Sequence, residues 1–146
     1  MKRIHLACAI ALLAASATGS QSPSVNVIRP ENLSWATPPN IPDISSAWVM
    51  GSESAKGTYV VRVKLRNGGR IPLHTHPDTR YSTVLSGTLY VGFGTVDDAQ
   101  VVAVPAGSVY VAPANVPHHL WAKDGAVEYQ EAGTGPTGTA VTAPSR

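Results

Sequence analysis

Glycine and proline punctuate this sequence roughly every eight to twelve residues from Trp48 onward, and that spacing leaves room for little except short strands. "TYVVRVKLR" (58–66) alternates well. Tyr59, Val61, Val63 and Leu65 share one face, and Arg62, Lys64 and Arg66 share the other. "NGG" at 67–69 closes that run. "STVLSGTLYVGFG" (82–94) reads as strand, Ser-Gly turn, strand, with Leu89, Val91 and Phe93 on one side. "TVDDAQ" (95–100) is a turn, and the stretch from 101 to 133 breaks at Pro105-Ala-Gly107, Pro113, Asn115, Pro117 and Asp124-Gly125. Beyond the first 17 residues nothing keeps a 3.6-residue period for three turns. The expected class is all-β, a sandwich or barrel, with no internal repeat.

The ends read differently. "MKRIHLACAIALLAASATGS" places Lys2 and Arg3 before an apolar run from Ile4 to Ala15, and Ala15-Ser16-Ala17 supplies a small-x-small cleavage pattern. This is the form of a secretory signal peptide over 1–17, too short in its apolar run to span a bilayer comfortably. Residues 18–47, rich in Ser, Pro and Asn with scattered apolar anchors, read as an extended arm lying on a barrel domain at 48–133. The Gly/Thr/Ala/Pro-rich residues 134–146 read as a loose tail.

Export changes what composition means. Loss of Lys2 and Arg3 brings the basic residues from 11 to nine, equal to the nine acidic ones, so the basicity belongs to the leader. No basic stripe or basic-aromatic interleaving marks a nucleic-acid surface, and no membrane contact is expected of the mature form. Cys8, the only cysteine, also departs, so a metal would have to be held by His, carboxylate or Tyr.

Four of the five histidines fall in two clusters, His74/His76 and His118/His119. In a strand, residues i and i+2 face the same way, so His74 and His76 can present two imidazoles on one surface. His118 and His119 face opposite ways. The parity with Leu120 and Ala122 turns His118 inward, and His119 shares the parity of Trp121 and Lys123 and turns outward.

The stretch "GGRIPLHTHPDTRYSTVLSG" resembles the first cupin motif, with Gly68, His74, His76 and Gly87 at the expected separations. "GSVYVAPANVPH" resembles the second, with Gly107, Pro113, His118 in the ligand place and Asn115 where glycine is usual. The resemblance covers roughly residues 58–132 and implies an antiparallel jelly-roll β-barrel whose motif histidines commonly bind a divalent metal. One departure stands out. The family's glutamate ligand falls four or five residues after the second histidine, where this chain has Arg80 and Tyr81. Arginine cannot ligate a cation. The expected metal site is therefore His74, His76 and His118, with Tyr81 as a weak fourth candidate. Arg80 either points inward as an anion contact or pairs with Asp78 at the rim.

Three neutral imidazoles would leave a divalent metal (Fe, Zn, Mn or Ni) its full charge and open positions, suited to a small chelating or anionic molecule. Relatives with such sites include oxygenases, and Arg80 and Tyr81 are the candidate catalytic residues. Three readings stay open: an exported metal-dependent, oxygenase-type enzyme; a non-catalytic small-molecule-binding module; and a structural cupin that has lost its metal. The expected partners are a small-molecule ligand or substrate and, by the resemblance, a second copy in a homodimer. The location expected is periplasmic or secreted. Mass spectrometry of the exported fraction should find a chain beginning near Thr18; full-length chain confined to the cytoplasm would exclude the leader.

Overall fold

The computed structural model describes residues 25–142, so the leader expected at 1–17 lies outside the described residues. Ten strands follow a short 3-10 turn at Pro30–Asn32: β1 (Ile44–Met50), β2 (Gly57–Leu65), β3 (Arg70–Thr75), β4 (Arg80–Ser86), β5 (Thr88–Phe93), β6 (Val102–Pro105), β7 (Val109–Ala112), β8 (His118–Trp121), β9 (Val127–Gly135) and β10 (Ala140–Val141). They form two five-stranded sheets, in the orders β1-β2-β9-β4-β7 and β10-β3-β8-β5-β6. All the strand pairs are antiparallel. The alternating pattern and turn spacing called for a sandwich or barrel, and the structure has the jelly-roll form that the cupin resemblance implied.

Alternation decides the interior. Tyr59, Val61, Val63 and Leu65 of β2 are all buried, and Val127 and Tyr129 of β9 meet them across the same sheet. Leu89 and Val91 of β5 and Leu120 of β8 close the core from the other sheet. Burying such a set of aliphatic and aromatic side chains stabilises each by about 1.5–3 kcal/mol before entropy is counted. Phe93 departs from the expected face pattern only in exposure: it sits at the end of β5, 46% exposed, with its ring 5.9 Å from that of His118.

Both expected ends differ from the structure. The arm does not stop at 47, because β1 begins at Ile44, pairing Ile44 with Leu65. Ala36 forms a bridge to Ser46, and the Lys64 ammonium lies 4.0 Å over the Trp35 ring, so the arm is tied to the sheet. The expected loose tail from 134 is ordered through Thr142. β9 runs to Gly135, and Ala140 and Val141 pair with Thr75 and His74. Composition suggested a tail, but backbone pairing with distant strands needs no apolar signature.

His119 turns away from His118, as strand alternation requires, but not into water. It is only 2% exposed. Its cross-strand partner is Gly92, and a methyl group added there would overlap the imidazole ring. Glycine at 92 thus leaves the space that the ring fills on the outer side of the sheet. Gly92→Ala should destabilise the fold by about 1–3 kcal/mol through this overlap. Adding His119→Ala should recover part of that loss. Chemical denaturation of the four members of the cycle measures the coupling, and additive effects would show that the ring and residue 92 do not meet.

Candidate metal centre

Local irregularity, as much as alternation, places the histidines. Between Ile71 and His74 the β3–β8 register slips, so Ile71 faces Leu120 and His74 faces His118. Without that bulge, residues three apart would face opposite sides; with it, both Ile71 and His74 line the interior cavity. His76 follows at the end of β3. Its carbonyl accepts the Asn115 N–H at 2.7 Å, tying the first histidine motif to the second. Asn115 has φ 61°, the left-handed region that asparagine enters more readily than other residues with a side chain. This accounts for asparagine at a position where the motif usually carries glycine.

The imidazoles of His74, His76 and His118 come together, each offering a ring nitrogen within 4.8 Å of the others. Their ring centroids lie 4.2–5.1 Å apart. Each Nδ1 faces a backbone carbonyl: His74 that of Pro72 at 2.7 Å, His76 that of Gly138 at 2.8 Å, His118 that of Val116 at 3.1 Å. A carbonyl only accepts, so each Nδ1 carries the proton and donates. Every Nε2 is then an unprotonated lone-pair donor. The Nε2 atoms of His76 and His118 are buried without any hydrogen-bond partner. Two orphaned acceptors beside a third imidazole suit a cation.

Electrostatics agrees. Burial, reinforced by its neighbours, pushes His74 down to about 3. Burial and the Arg80 charge push His76 down to about 4, and burial lowers His118 as well. The cluster is neutral at ordinary pH and needs to lose no proton to accept a cation.

The wall opposite the histidines carries the other half of the site. The cavity holds about 330 Å³ and is bounded by Trp48, Ile71, His74, His76, Arg80 and Glu131 among others. Arg80 is 7% exposed, which overturns the rim alternative. Its Nη1 donates to Glu131 Oε2 at 2.7 Å, and its Nη2 donates to the Thr137 hydroxyl at 2.9 Å and the Gly138 carbonyl at 3.2 Å. Asp78, itself largely buried, lies 3.9 Å from Nε, donates nothing and accepts from Tyr59 and Thr137 at 2.6 and 2.5 Å. Both terminal nitrogens are engaged within the protein, while Nε is buried without a hydrogen-bond partner, so Arg80 is held mainly as a structural cation. Tyr81 is corrected too: its neighbour Arg80 takes the inward side, and Tyr81 is 56% exposed on the outer face. It can be neither a ligand nor a group acting within the cavity.

Glu131 is the residue that the sequence reading missed. It is 4% exposed, and burial raises its carboxyl above the ordinary range against the pull of Arg80. The signal was present: Val127, Tyr129 and Glu131 share one parity along β9, and two of the three are core residues. The motif glutamate is replaced by arginine on β4, and a carboxylate has come from β9, 51 residues away, to neutralise it.

Two antiparallel sheets, histidines converging inside and no helix longer than one 3-10 turn among the described residues define a jelly-roll barrel with a three-histidine cluster. Comparison with known proteins supports this fold: residues 61–129 match the Cupin domain family. A search of curated protein sequences finds no match. Among solved structures, the chain is similar to the polyketide cyclase RemF from Streptomyces resistomycificus, with 12% identity and a TM-score of 0.65 over 82% of this chain and 88% of that one. It is similar to the DMSP lyase DddQ from Ruegeria pomeroyi DSS-3, with 15% identity and a TM-score of 0.65 over 77% of this chain and 62% of that one. An oxalate oxidase aligns at 26% identity and a TM-score of 0.51, over 59% of this chain and 46% of that one. At 12% and 15% identity the first two likenesses speak for the fold alone.

The depressed imidazoles make stability pH-dependent. Above about 6.5 the histidines are neutral whether folded or unfolded, and their contribution is constant. As pH falls below that, the unfolded chain takes up protons that buried His76 refuses until about 4 and His74 until about 3. Metal-free protein should therefore lose stability through that window, by ~1.4 kcal/mol per pH unit for each proton difference. Urea midpoints from pH 7 to 5 should fall more steeply for the wild type than for His74→Gln; equal slopes would mean that His74 is not held neutral.

Proposed function

We propose that His74, His76 and His118 hold a divalent metal ion, and that the protein is a metal-dependent enzyme of oxygenase type acting on a small chelating or anionic molecule in the barrel cavity. The observation that carries this reading is the convergence of three Nδ1-protonated imidazoles, two of which, His74 and His76, line a cavity of about 330 Å³. Three neutral ligands with open positions are the pattern of catalytic sites, whereas closed structural sites use four protein ligands. Cavities near this size take small organic molecules. When bound, a dication there would supply Lewis-acid and, for iron or manganese, redox chemistry to a molecule that reaches it.

The chain's own residues have definable tasks. The carbonyls of Pro72, Gly138 and Val116 orient the three rings. Ile71, Val61, Val63 and Trp48 give the cavity apolar walls that limit water around the cluster. Arg80 is balanced by Glu131 and Asp78, so attraction for an anionic molecule comes from the metal and not from the guanidinium. Among the proteins similar in fold are a cyclase, a lyase and an oxidase, which supports catalysis in such a barrel while leaving the reaction to the site. Export to the periplasm or outside the cell belongs to the same proposal and rests on the leader alone.

Metal titration of purified, metal-stripped protein tests the reading. Metal at a hundred times its Kd should stabilise the fold by about 2.7 kcal/mol, since it would bind the folded barrel and hardly the unfolded chain. His74→Ala, His76→Ala and His118→Ala should each abolish most metal uptake and most of the thermal shift. His119→Ala should keep uptake, because its ring lies on the other side of the sheet. Screening the loaded protein for turnover, with oxygen uptake followed across diketones, catechols and carboxylates, separates catalysis from capture. Ligand binding without turnover would make the barrel a binding module, and no uptake of any metal would overturn the site.

A further inference from the structure

The three histidines are oriented in two different ways. The Nδ1 acceptors of His74 and His118 are carbonyls two residues earlier in the chain, at Pro72 and Val116. Those rings are set by their own strands. The acceptor for His76 is Gly138, 62 residues away. Gly138 belongs to the segment 136–142, which leaves β9 in one sheet and reaches β10 in the other, with Thr137, Gly138, Thr139 and Val141 bordering the cavity.

This strap grips the site at several points. Gly138 O accepts from both His76 Nδ1 and Arg80 Nη2. The Thr137 hydroxyl accepts from Arg80 and donates to Asp78, and its backbone N–H donates to Glu53 O at 2.8 Å. Thr139 Oγ1 stands 3.3 Å from His76 Nδ1. Val141 pairs with His74 itself, and the Thr142 N–H donates to Leu73 O at 2.8 Å. Yet none of residues 136–142 is buried. The strap is held by polar contacts with little apolar burial, the profile of a segment that opens at a small fraction of the global unfolding free energy.

We propose that docking of this C-terminal strap and occupancy of the three-histidine site are thermodynamically coupled, with the Gly138 carbonyl on His76 as the link; this rests on the metal reading above. A docked carbonyl fixes the His76 tautomer and makes Nε2 a better lone-pair donor, an effect that outer-sphere partners of metal-bound histidines exert at roughly 10–100-fold in affinity. The converse follows. A cation drawing density from Nε2 makes Nδ1–H a stronger donor to Gly138 and holds the strap down. Each event must favour the other by the same factor. Thr137, Gly138 and Thr139 are therefore positioning residues of the site, and the strap is a metal-responsive cover on the cavity.

Hydrogen exchange on the full-length chain with and without saturating Zn(II) tests this directly. Backbone amides of 137–142 should slow at least about tenfold more than those of β2 and β5, which a general stabilisation would move together. A chain ending at Gly135 and the full-length Thr137→Val variant supply the converse measurement. The first should bind Zn(II) about ten or more times more weakly, and bound Co(II) should show an altered ligand-field spectrum. Should the shortened chain not fold, as judged by circular dichroism, the exchange data and Thr137→Val decide the matter. Zn(II) uptake by the wild type with strap amides exchanging at an unchanged relative rate would overturn the coupling and leave the metal site standing. Absence of uptake by the wild type would overturn both.

Discussion

Three imidazoles buried side by side cannot all be charged, and this constraint organises the barrel interior. Desolvation alone disfavours the protonated rings, and each neighbour would repel the next. A neutral ring still has one N–H and one lone pair to satisfy. Backbone carbonyls take the three N–H groups, and that leaves the lone pairs directed at one another's territory inside the fold. An apolar core would leave them as a cost of about 1–3 kcal/mol each; a cation would use them. The bulge in β3, the left-handed turn at Asn115 and the docking of the C-terminal segment all serve to bring about this one arrangement.

The second buried charge system answers the first. A guanidinium in the place of a ligand carboxylate would oppose a cation if it stood uncompensated. Glu131 and Asp78 surround it, and Tyr59 and Thr137 satisfy the remaining oxygens of Asp78. Removing one member would leave a buried charge without its partner, which is far more costly than the net worth of the intact network. The cavity thus has a wall of lone-pair donors on one sheet and a wall of balanced charge on the other. Its polarity toward a bound molecule depends on what the histidines hold.

The wall residues also show why fold likeness and site must be read separately. The barrel matches structures of a cyclase, a lyase and an oxidase, whose shared feature is the scaffold. The site of this chain carries an arginine on β4 at the place of the motif acid, bonded to a carboxylate from β9.

Much was legible in the residues themselves. Period-two alternation marked β2 and β5, glycine and proline marked the turns, and motif spacing singled out His74, His76 and His118, because each is a property of neighbours in the chain. Glu131 was legible by parity but invisible as a site residue, since nothing local says that Arg80, on the neighbouring strand, bonds to it. His119 was legible as pointing away from His118, but its burial depends on Gly92 of β5. Tyr81 and Arg80 were distinguishable only once the strand's facing was known, as one residue of phase separates interior from solvent. The tail was misread because its order comes from hydrogen bonds to Leu73, His74, His76 and Arg80, all more than fifty residues away. Sequence alone determined the class of fold and three candidate ligands, through local periodicity and spacing. Tertiary structure decided which charges meet, which rings are covered and what holds His76 in place, because those are contacts between strands that the chain order keeps far apart.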